Sequence, residues 1–190
     1  NACIGGAICS TQELLGRLRN VTPGASLLFG PVLDSFRASS ILKNLNTLHM
    51  RMKQHSHNAM YLAKKISDLG IKVFYPGLES HPQHELLDKL KDDDYGYGGM
   101  MTIDVGDSDT AKKLMIRMQE EQVGYFAVSL GFYKTLFSSP GSSTSSEIPP
   151  EEQKDIGLSP GLVRFSVGLD HDIERSFQRI KHSMEALNII

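Results

Sequence analysis

Residues 159–168 read SPGLVRFSVG, which predicts a short strand bounded by a Ser-Pro-Gly turn and by Gly168. Val163, Phe165 and Val167 recur at every second position, so one face of this strand is wholly apolar. Arg164 projects from the opposite face in mid-strand. A guanidinium on a rigid strand suits a carboxylate ligand, because its planar fork matches two oxygens at once. An ordinary solvated arginine is the alternative.

Composition bounds the class of protein. The chain has 190 residues, 40% hydrophobic and 22% charged, as expected for a globular protein with a sizeable core. The formal charge is −2, which gives no sign of a nucleic-acid or membrane surface. Neither an apolar run of membrane-spanning length nor a signal peptide is apparent in the sequence. Cys3 and Cys9 are interpreted as buried free thiols, and a cytoplasmic location is expected.

Hydrophobic periodicity and turn residues predict an alternation of strands and helices. The C-terminal part is expected to form a small α+β domain with helices on one face of a sheet. The predicted strands cover residues 3–9, 71–75, 95–105, 125–131 and 162–167. The predicted helices cover residues 11–19, 35–69 with a break near residue 48, a segment ending at 89–91, 107–122, and a last helix starting near 170. Residues 21–31 and 138–150 are expected to be loops.

Few other residues suggest chemistry. Ser129 lies just before a Leu-Gly turn at the end of an apolar stretch, where its hydroxyl and nearby amides could help to hold a carboxylate beside Arg164. A structural strand-end serine is the alternative. His55 and His57 point to different sides of a helix, and His81 and His84 lack a third ligand, so no metal site is expected.

Several blocks, in this order, resemble the pyridoxal-phosphate (PLP) enzymes of cysteine and methionine metabolism, the family of cystathionine gamma-synthase and methionine gamma-lyase. Residues 141–147, GSSTSSE, look most like the methionine gamma-lyase members. The blocks are Gly30-Pro31 with Leu33, Leu45 to Met52, Tyr75 to Leu78 with His81-Pro82, Tyr97 to Met100, Ala127 to Gly131, and Ser159 to Gly168.

This resemblance implies the fold-type I PLP-dependent transferase architecture, of class α/β. Residues 1–47 are expected to be a remnant of the large PLP-binding domain and its linker. Residues 48–190 would form the C-terminal α+β domain, with a mainly antiparallel sheet and the long connecting helix. Arg164 matches the arginine that binds the substrate α-carboxylate, Ser129 matches an assisting serine, and Thr144 falls in the loop that lines the active site.

The resemblance also implies that the cofactor machinery lies outside this chain. The family's Schiff-base lysine precedes the Gly5-Gly6-Ala7-Ile8 stretch, and the glycine-rich phosphate turn, the stacking tyrosine and the pyridine-nitrogen aspartate have no match. No covalent PLP site and no catalytic residue are therefore expected in these 190 residues. We expect the chain to be a fragment that does not catalyse alone.

The parent protein implied by the resemblance is a PLP-dependent lyase acting on the C–S bond of a sulfur amino acid, by elimination of the methionine gamma-lyase type. It would bind a small amino acid, and it would be a homo-oligomer, a tetramer in the family, without nucleic-acid or membrane partners. Cystathionine gamma-synthase, cystathionine gamma-lyase or homoserine sulfhydrylase activity is the alternative among enzymes. A non-catalytic amino-acid-binding or oligomerisation module is the alternative of another class.

Overall fold

The computed structural model describes residues 5–143, 145 and 147–190, which fall into two compact units that meet between His49 and Met50. Thr144 lies outside the described residues. Neither unit contains, in the residues described, a helix long and apolar enough to cross a membrane.

The first unit contains three short helices, α1 (Gln12–Arg19), α2 (Ala25–Phe29) and α3 (Ser35–Leu45). Thr11 Oγ1 caps α1 by accepting a hydrogen bond from the Leu14 amide at 3.3 Å. The strand predicted for residues 3–9 is wrong over its described part, because residues 5–9 have no regular structure. The thiol of Cys9 is free, but it is exposed and not buried as predicted. The loop predicted for residues 21–31 contains α2, which ends at Gly30 with a left-handed φ of 56°.

The second unit starts on the long helix α4 (Leu48–Asp68), which is separate from α3. The predicted helix over residues 35–69 is therefore two helices, divided close to the expected break. Gly70 follows α4 with a φ of 83°, a left-handed conformation that glycine adopts without steric cost. The remaining helices are α5 (His84–Leu90), α6 (Ser108–Glu120), α7 (Pro150–Asp155) and α8 (Ile173–Glu185).

The second unit contains one five-stranded sheet in the order β1-β2-β5-β4-β3. Only the β3–β4 pair is parallel, so the sheet is mixed but mainly antiparallel, as expected. The strands are β1 (Lys72–Phe74), β2 (Met100–Asp104), β3 (Gly124–Phe126), β4 (Thr135–Ser138) and β5 (Leu162–Ser166).

A single apolar core joins one face of this sheet to helices α4, α6 and α8. The face consists of alternate residues of the central strands, which pair across the sheet: Met101 with Phe165, Ile103 with Val163, and Phe137 with Phe165. Helix α6 contributes Ala111, Leu114, Met115 and Met118, the stripe that its periodicity predicts. The architecture inferred from the sequence for the C-terminal part, an α+β domain with helices on one face of a mainly antiparallel sheet, is confirmed.

Two elements at the sheet edge differ from the sequence analysis. Strand β4 was not predicted, all four of its residues are buried, and its last residue, Ser138, falls in the loop predicted over residues 138–150. A strand was predicted over residues 125–131, but the observed strand, β3, is shorter and spans only Gly124–Phe126. The segment 128–131 leaves the sheet, and this departure positions it for the site described next.

Candidate functional site

Arg164 lies in the middle of β5, on the face of the sheet opposite the core. Its partners in the antiparallel register are Thr102 on β2 and Ser138 on β4. Residues paired across antiparallel strands have their side chains on the same face. Arg164 is half-buried, and Ser138 beside it is completely buried.

The guanidinium of Arg164 is held by the segment that follows β3. Nη2 donates one hydrogen bond to the carbonyl oxygen of Val128 at 2.9 Å and a longer one to that of Ser129 at 3.4 Å. These contacts fix the orientation of the guanidinium plane before any ligand arrives. The structure therefore places Ser129 beside Arg164, with its backbone carbonyl as the contacting group.

The segment itself is tied to the sheet at both ends. The Ala127 amide donates to the carbonyl oxygen of Phe137 at 3.0 Å, which continues the pairing of β3 with β4. The Gly131 amide donates to Ser166 Oγ at 2.9 Å, two residues along β5 from Arg164 and on the same face. Residues 128–131 therefore lie over the polar face of β5 and form one wall around Arg164.

Two buried polar atoms of β4 and β5 at this site have no hydrogen-bond partner in the described part of the chain. They are Arg164 Nε and Ser138 Oγ, which belong to residues paired in the β4–β5 register. A buried, unpaired donor carries a desolvation penalty of about 1–3 kcal/mol. A carboxylate oxygen received at Nε would remove that penalty, so the arrangement suits an anionic ligand.

A second set of contacts fixes the end of β5. On α4, the His55 ring and the Asn58 amide reach three of the four residues that follow the strand. His55 Nδ1 lies 2.6 Å from the carbonyl oxygen of Val167, and Asn58 Nδ2 donates to the carbonyls of Gly168 and Asp170 at 2.9 and 2.8 Å. Since a carbonyl only accepts, Nδ1 carries the proton of His55. These two buried residues anchor the strand that bears Arg164.

The described lysines do not fit the role of a cofactor anchor. A Schiff-base lysine needs a lowered pKa, which burial away from carboxylates produces. No lysine whose side chain the structure describes is buried. Hydrogen bonds to Asp93 and Asp109 instead raise the pKa values of Lys91 and Lys113. The described lysines therefore lack the environment that a Schiff-base lysine needs.

Sequence reasoning found Arg164 and Ser129 but missed the rest of this arrangement. Ser138 belongs to no sequence motif that would mark it as a site residue. The Val128 carbonyl is a backbone group, which the sequence does not distinguish from any other. His55 was considered only as a metal ligand. No three potential metal ligands come together within the described ranges.

The fold and the site define an α+β domain in which the polar face of the sheet carries Arg164, held by the backbone of the segment 128–131. The chain belongs to the Cys/Met metabolism PLP-dependent enzyme family, whose model matches residues 1–180.

Relatives in this family include several C–S bond enzymes. The chain is 42% identical over 179 residues to methionine gamma-lyase of Arabidopsis thaliana, covering 94% of this chain and 41% of the relative. It is 35% identical over 160 residues to cystathionine beta-lyase of Lactococcus lactis, covering 82% of this chain and 40% of the relative. The chain therefore spans less than half the length of these relatives.

The fold also matches a solved structure, that of a putative O-acetylhomoserine (thiol)-lyase of Campylobacter jejuni containing N'-pyridoxyl-lysine-5'-monophosphate. The TM-score is 0.74 at 29% identity, over 83% of this chain and 37% of the other. This similarity supports the fold-type I assignment and PLP as the cofactor of the family.

Proposed function

We propose that this chain is the substrate-clamping C-terminal part of a PLP-dependent lyase that eliminates a thiol from a sulfur amino acid, as methionine gamma-lyase does. In this proposal residues 1–47 complete the large cofactor domain and its linker, and residues 48–190 form the C-terminal domain. PLP is held by residues outside the chain, the protein is a homo-oligomer, and it acts in the cytoplasm.

The observation that carries the proposal is the state of Arg164. Val128 and Ser129 hold one end of its guanidinium, while the buried Nε has no acceptor among the described residues. A guanidinium in this state is pre-organised, so little conformational entropy is lost when a carboxylate binds. The rigid strand and its anchors at His55 and Asn58 add to this pre-organisation.

The role proposed for these residues is binding and orientation. Arg164 neutralises the α-carboxylate of the substrate and fixes one end of the amino acid, which restricts how the reacting carbon is presented. Ser129 assists from the segment 128–131. Thr144 is included as a substrate-binding residue on the resemblance to the family alone. When bound, PLP supplies the electron sink for a carbanion of the substrate.

The test uses an Arg164→Lys variant of the full gene product and two ligands, one with a carboxylate (L-methionine) and one without it (3-(methylthio)propylamine). Lysine keeps the charge but loses the planar fork. We expect kcat/KM for thiol release from L-methionine to fall about 30-fold or more, since weakening a buried charge pair costs about 2 kcal/mol or more. The inhibition constant of 3-(methylthio)propylamine, which lacks the carboxylate, should not change. Arg19→Lys, at an exposed position on α1, is the control and should match the wild type.

Three results would contradict the proposal in different ways. If Arg164→Lys keeps kcat/KM within about threefold of wild type, less than about 0.7 kcal/mol has been lost and Arg164 is not the clamp. If the variant loses affinity for the amine as well, Arg164 acts through the structure of the site and not through the carboxylate. If the wild-type gene product binds L-methionine but releases no thiol, the non-catalytic binding module is the correct alternative.

A further inference from the structure

A cavity of about 350 Å³, separate from the site at Arg164, lies in the second unit between the start of α8 and the first residue of β4. We call it the α8 pocket. The residues that matter for its chemistry are Tyr133, Lys134, Leu169, Asp170, Arg175 and Arg179. It opens beside Thr135 at the first residue of β4, whereas Arg164 pairs with Ser138 at the last. Three residues of strand separate these points by about 10 Å, so the two sites are distinct.

The pocket carries an excess of positive charge. Three fixed cations, Lys134, Arg175 and Arg179, line it against the single carboxylate of Asp170, which leaves a net charge of +2 with His171 counted as neutral. Partial burial would raise the pKa of Asp170, but hydrogen bonds from Ser176 and from the Asp172 amide outweigh it, so the pKa is lowered. Asp170 is therefore ionised at neutral pH and is already included in this balance.

The cations are largely unused by the protein itself. Neither Lys134 nor Arg179 has a side-chain hydrogen bond or ion pair within the part of the chain that the structure describes. Arg175 pairs loosely with Asp172, the N-cap of α8, at 3.7 Å on the surface. Arg175 and Arg179 are four residues apart on α8, so they lie on one side of the helix. Their charges and the positive end of the α8 dipole act on the same space.

The walls of the pocket are fixed by buried contacts. The Leu169 amide donates to the carbonyl oxygen of Tyr133 at 2.8 Å, and the Gly168 amide donates to Thr135 Oγ1 at 3.0 Å. Asn58 holds the carbonyl of Asp170 at 2.8 Å. The backbone that carries Lys134 is thus joined to the backbone that leads into α8. The protein backbone therefore needs little reorganisation for one ligand to contact Lys134 and the arginines of α8 at the same time.

We propose that the α8 pocket binds a phosphomonoester of a small organic molecule. The net charge of +2 matches the phosphate dianion, and guanidinium groups bind phosphate through paired charge-assisted hydrogen bonds. A volume of about 350 Å³ leaves room beyond the phosphate group itself, within the range of small-molecule sites. Tyr133 and Leu169 give an organic substituent an apolar surface. This site is independent of the amino-acid site at Arg164, and the proposal stands whether or not the chain serves a lyase.

The test is calorimetric titration of the full gene product with phenyl phosphate, inorganic phosphate and benzyl alcohol. We expect saturable binding of phenyl phosphate, weaker binding of inorganic phosphate, and none of the neutral alcohol. Lys134→Gln and Arg179→Gln should each weaken phenyl phosphate binding about tenfold or more, because a hydrogen bond to a charged group contributes about 1.5–3 kcal/mol. The double variant should abolish measurable binding.

The matched control is Lys112→Gln on α6, an exposed lysine that does not line the pocket, which should bind as the wild type does. Circular dichroism and thermal midpoints establish that each variant is folded. An Arg179→Lys variant, which keeps the charge, should bind with intermediate affinity. The proposal is overturned if the wild type shows no saturable binding of phenyl phosphate, or if Lys112→Gln weakens binding as much as Arg179→Gln does.

Discussion

At the scale of single residues, Tyr75 shows how a buried side chain joins separate segments of the chain through backbone carbonyls. It is fully buried after β1, and its hydroxyl donates to the carbonyl oxygen of Gly98 at 2.9 Å and lies 3.5 Å from that of Ser56. Tyr75→Phe should lower the free energy of unfolding by about 1–2 kcal/mol, because it leaves a partly buried acceptor unpaired. Urea unfolding at pH 7 measures this loss. Tyr125→Phe, at a half-exposed position, is the control and should change it by less than about 0.5 kcal/mol.

The same residue carries a pH dependence. Burial raises the pKa of Tyr75 above its usual value of 10.0. Because the folded protein then holds its proton more tightly than the unfolded chain, this contribution to stability is complete below pH 10 and is lost as the pH rises further. The stability difference between wild type and Tyr75→Phe should therefore narrow above pH 10. A difference that widens there would contradict the assignment.

The sequence was enough to predict on which face of its strand Arg164 lies, but not which groups it contacts. The alternation in β5 was enough to place Arg164 on the polar face, since a period of two has one structural meaning. Its contact with the carbonyls of Val128 and Ser129 joins residues about 35 positions apart through the backbone. Backbone carbonyls are the same in every residue type, so no pattern of side chains could indicate them.

At the scale of elements, Gly168 controls how β4 joins the end of β5. A Cβ atom at this position would lie 2.5 Å from the Thr135 amide nitrogen and 2.6 Å from the backbone of Lys134 and Tyr133. Backbone atoms cannot move aside as a flexible side chain does. Gly168→Ala should therefore cost about 1–3 kcal/mol of stability by forcing the two strands apart.

The matched control is Gly16→Ala in α1. A Cβ atom there meets nothing within 4 Å, so the same added methyl group should not lower the stability of the chain. Chemical denaturation of both variants gives the comparison. Gly168→Ala should also weaken amino-acid binding at Arg164, whereas Gly16→Ala should not. Equal stability of the two variants would show that the close approach at Gly168 is not structurally important.

The elements that sequence reasoning missed share a physical cause. All four residues of β4 are buried, and its sequence, Thr-Leu-Phe-Ser, has no alternation of polar and apolar residues to detect. Its last residue, Ser138, belongs by composition to the serine-rich loop that follows. The strand over 125–131 was predicted from its apolar residues, but two of them, Val128 and Leu130, are exposed on a segment that leaves the sheet.

At the scale of the whole molecule, the two units differ in how much core they have. None of the apolar side chains that the structure describes in residues 5–49 is buried. Phe29, Val32 and Phe36 are each more than 80% exposed. The second unit, in contrast, buries one continuous cluster across the sheet and three helices. The stability of the isolated chain therefore resides in the second unit.

Native-state hydrogen exchange of the 190-residue chain tests this asymmetry. Amides of α1, α2 and α3 should exchange through local opening with free energies near zero, and those of α4, β2 and β5 only near the global unfolding free energy. Backbone amides in the middle of α3 should exchange at least about tenfold faster than those in the middle of α4. Equal protection of α3 and α4 would mean that the first unit folds together with the second.

The class of the whole molecule was the most predictable level. Strand and helix order, together with the motifs around Arg164 and Ser129, led to a fold-type I C-terminal domain, which the structure and the family match confirm. The break predicted near residue 48 lies close to the gap between the end of α3 at Leu45 and the start of α4 at Leu48. Its exact position could not be read from the periodicity, because apolar residues recur at helical spacing on both sides of it.

The anchoring of β5 by α4 has a consequence for changes in the length of the chain. His55 and Asn58 are three residues apart, so they lie on one side of the helix and reach carbonyls on consecutive stretches of backbone. One residue inserted between them would turn Asn58 by about 100° and carry it about 1.5 Å along the axis. Substitutions on the solvent side of α4 leave this relation intact, whereas any insertion or deletion between the two residues breaks it. In this part of the chain, spacing is therefore a stricter constraint than composition.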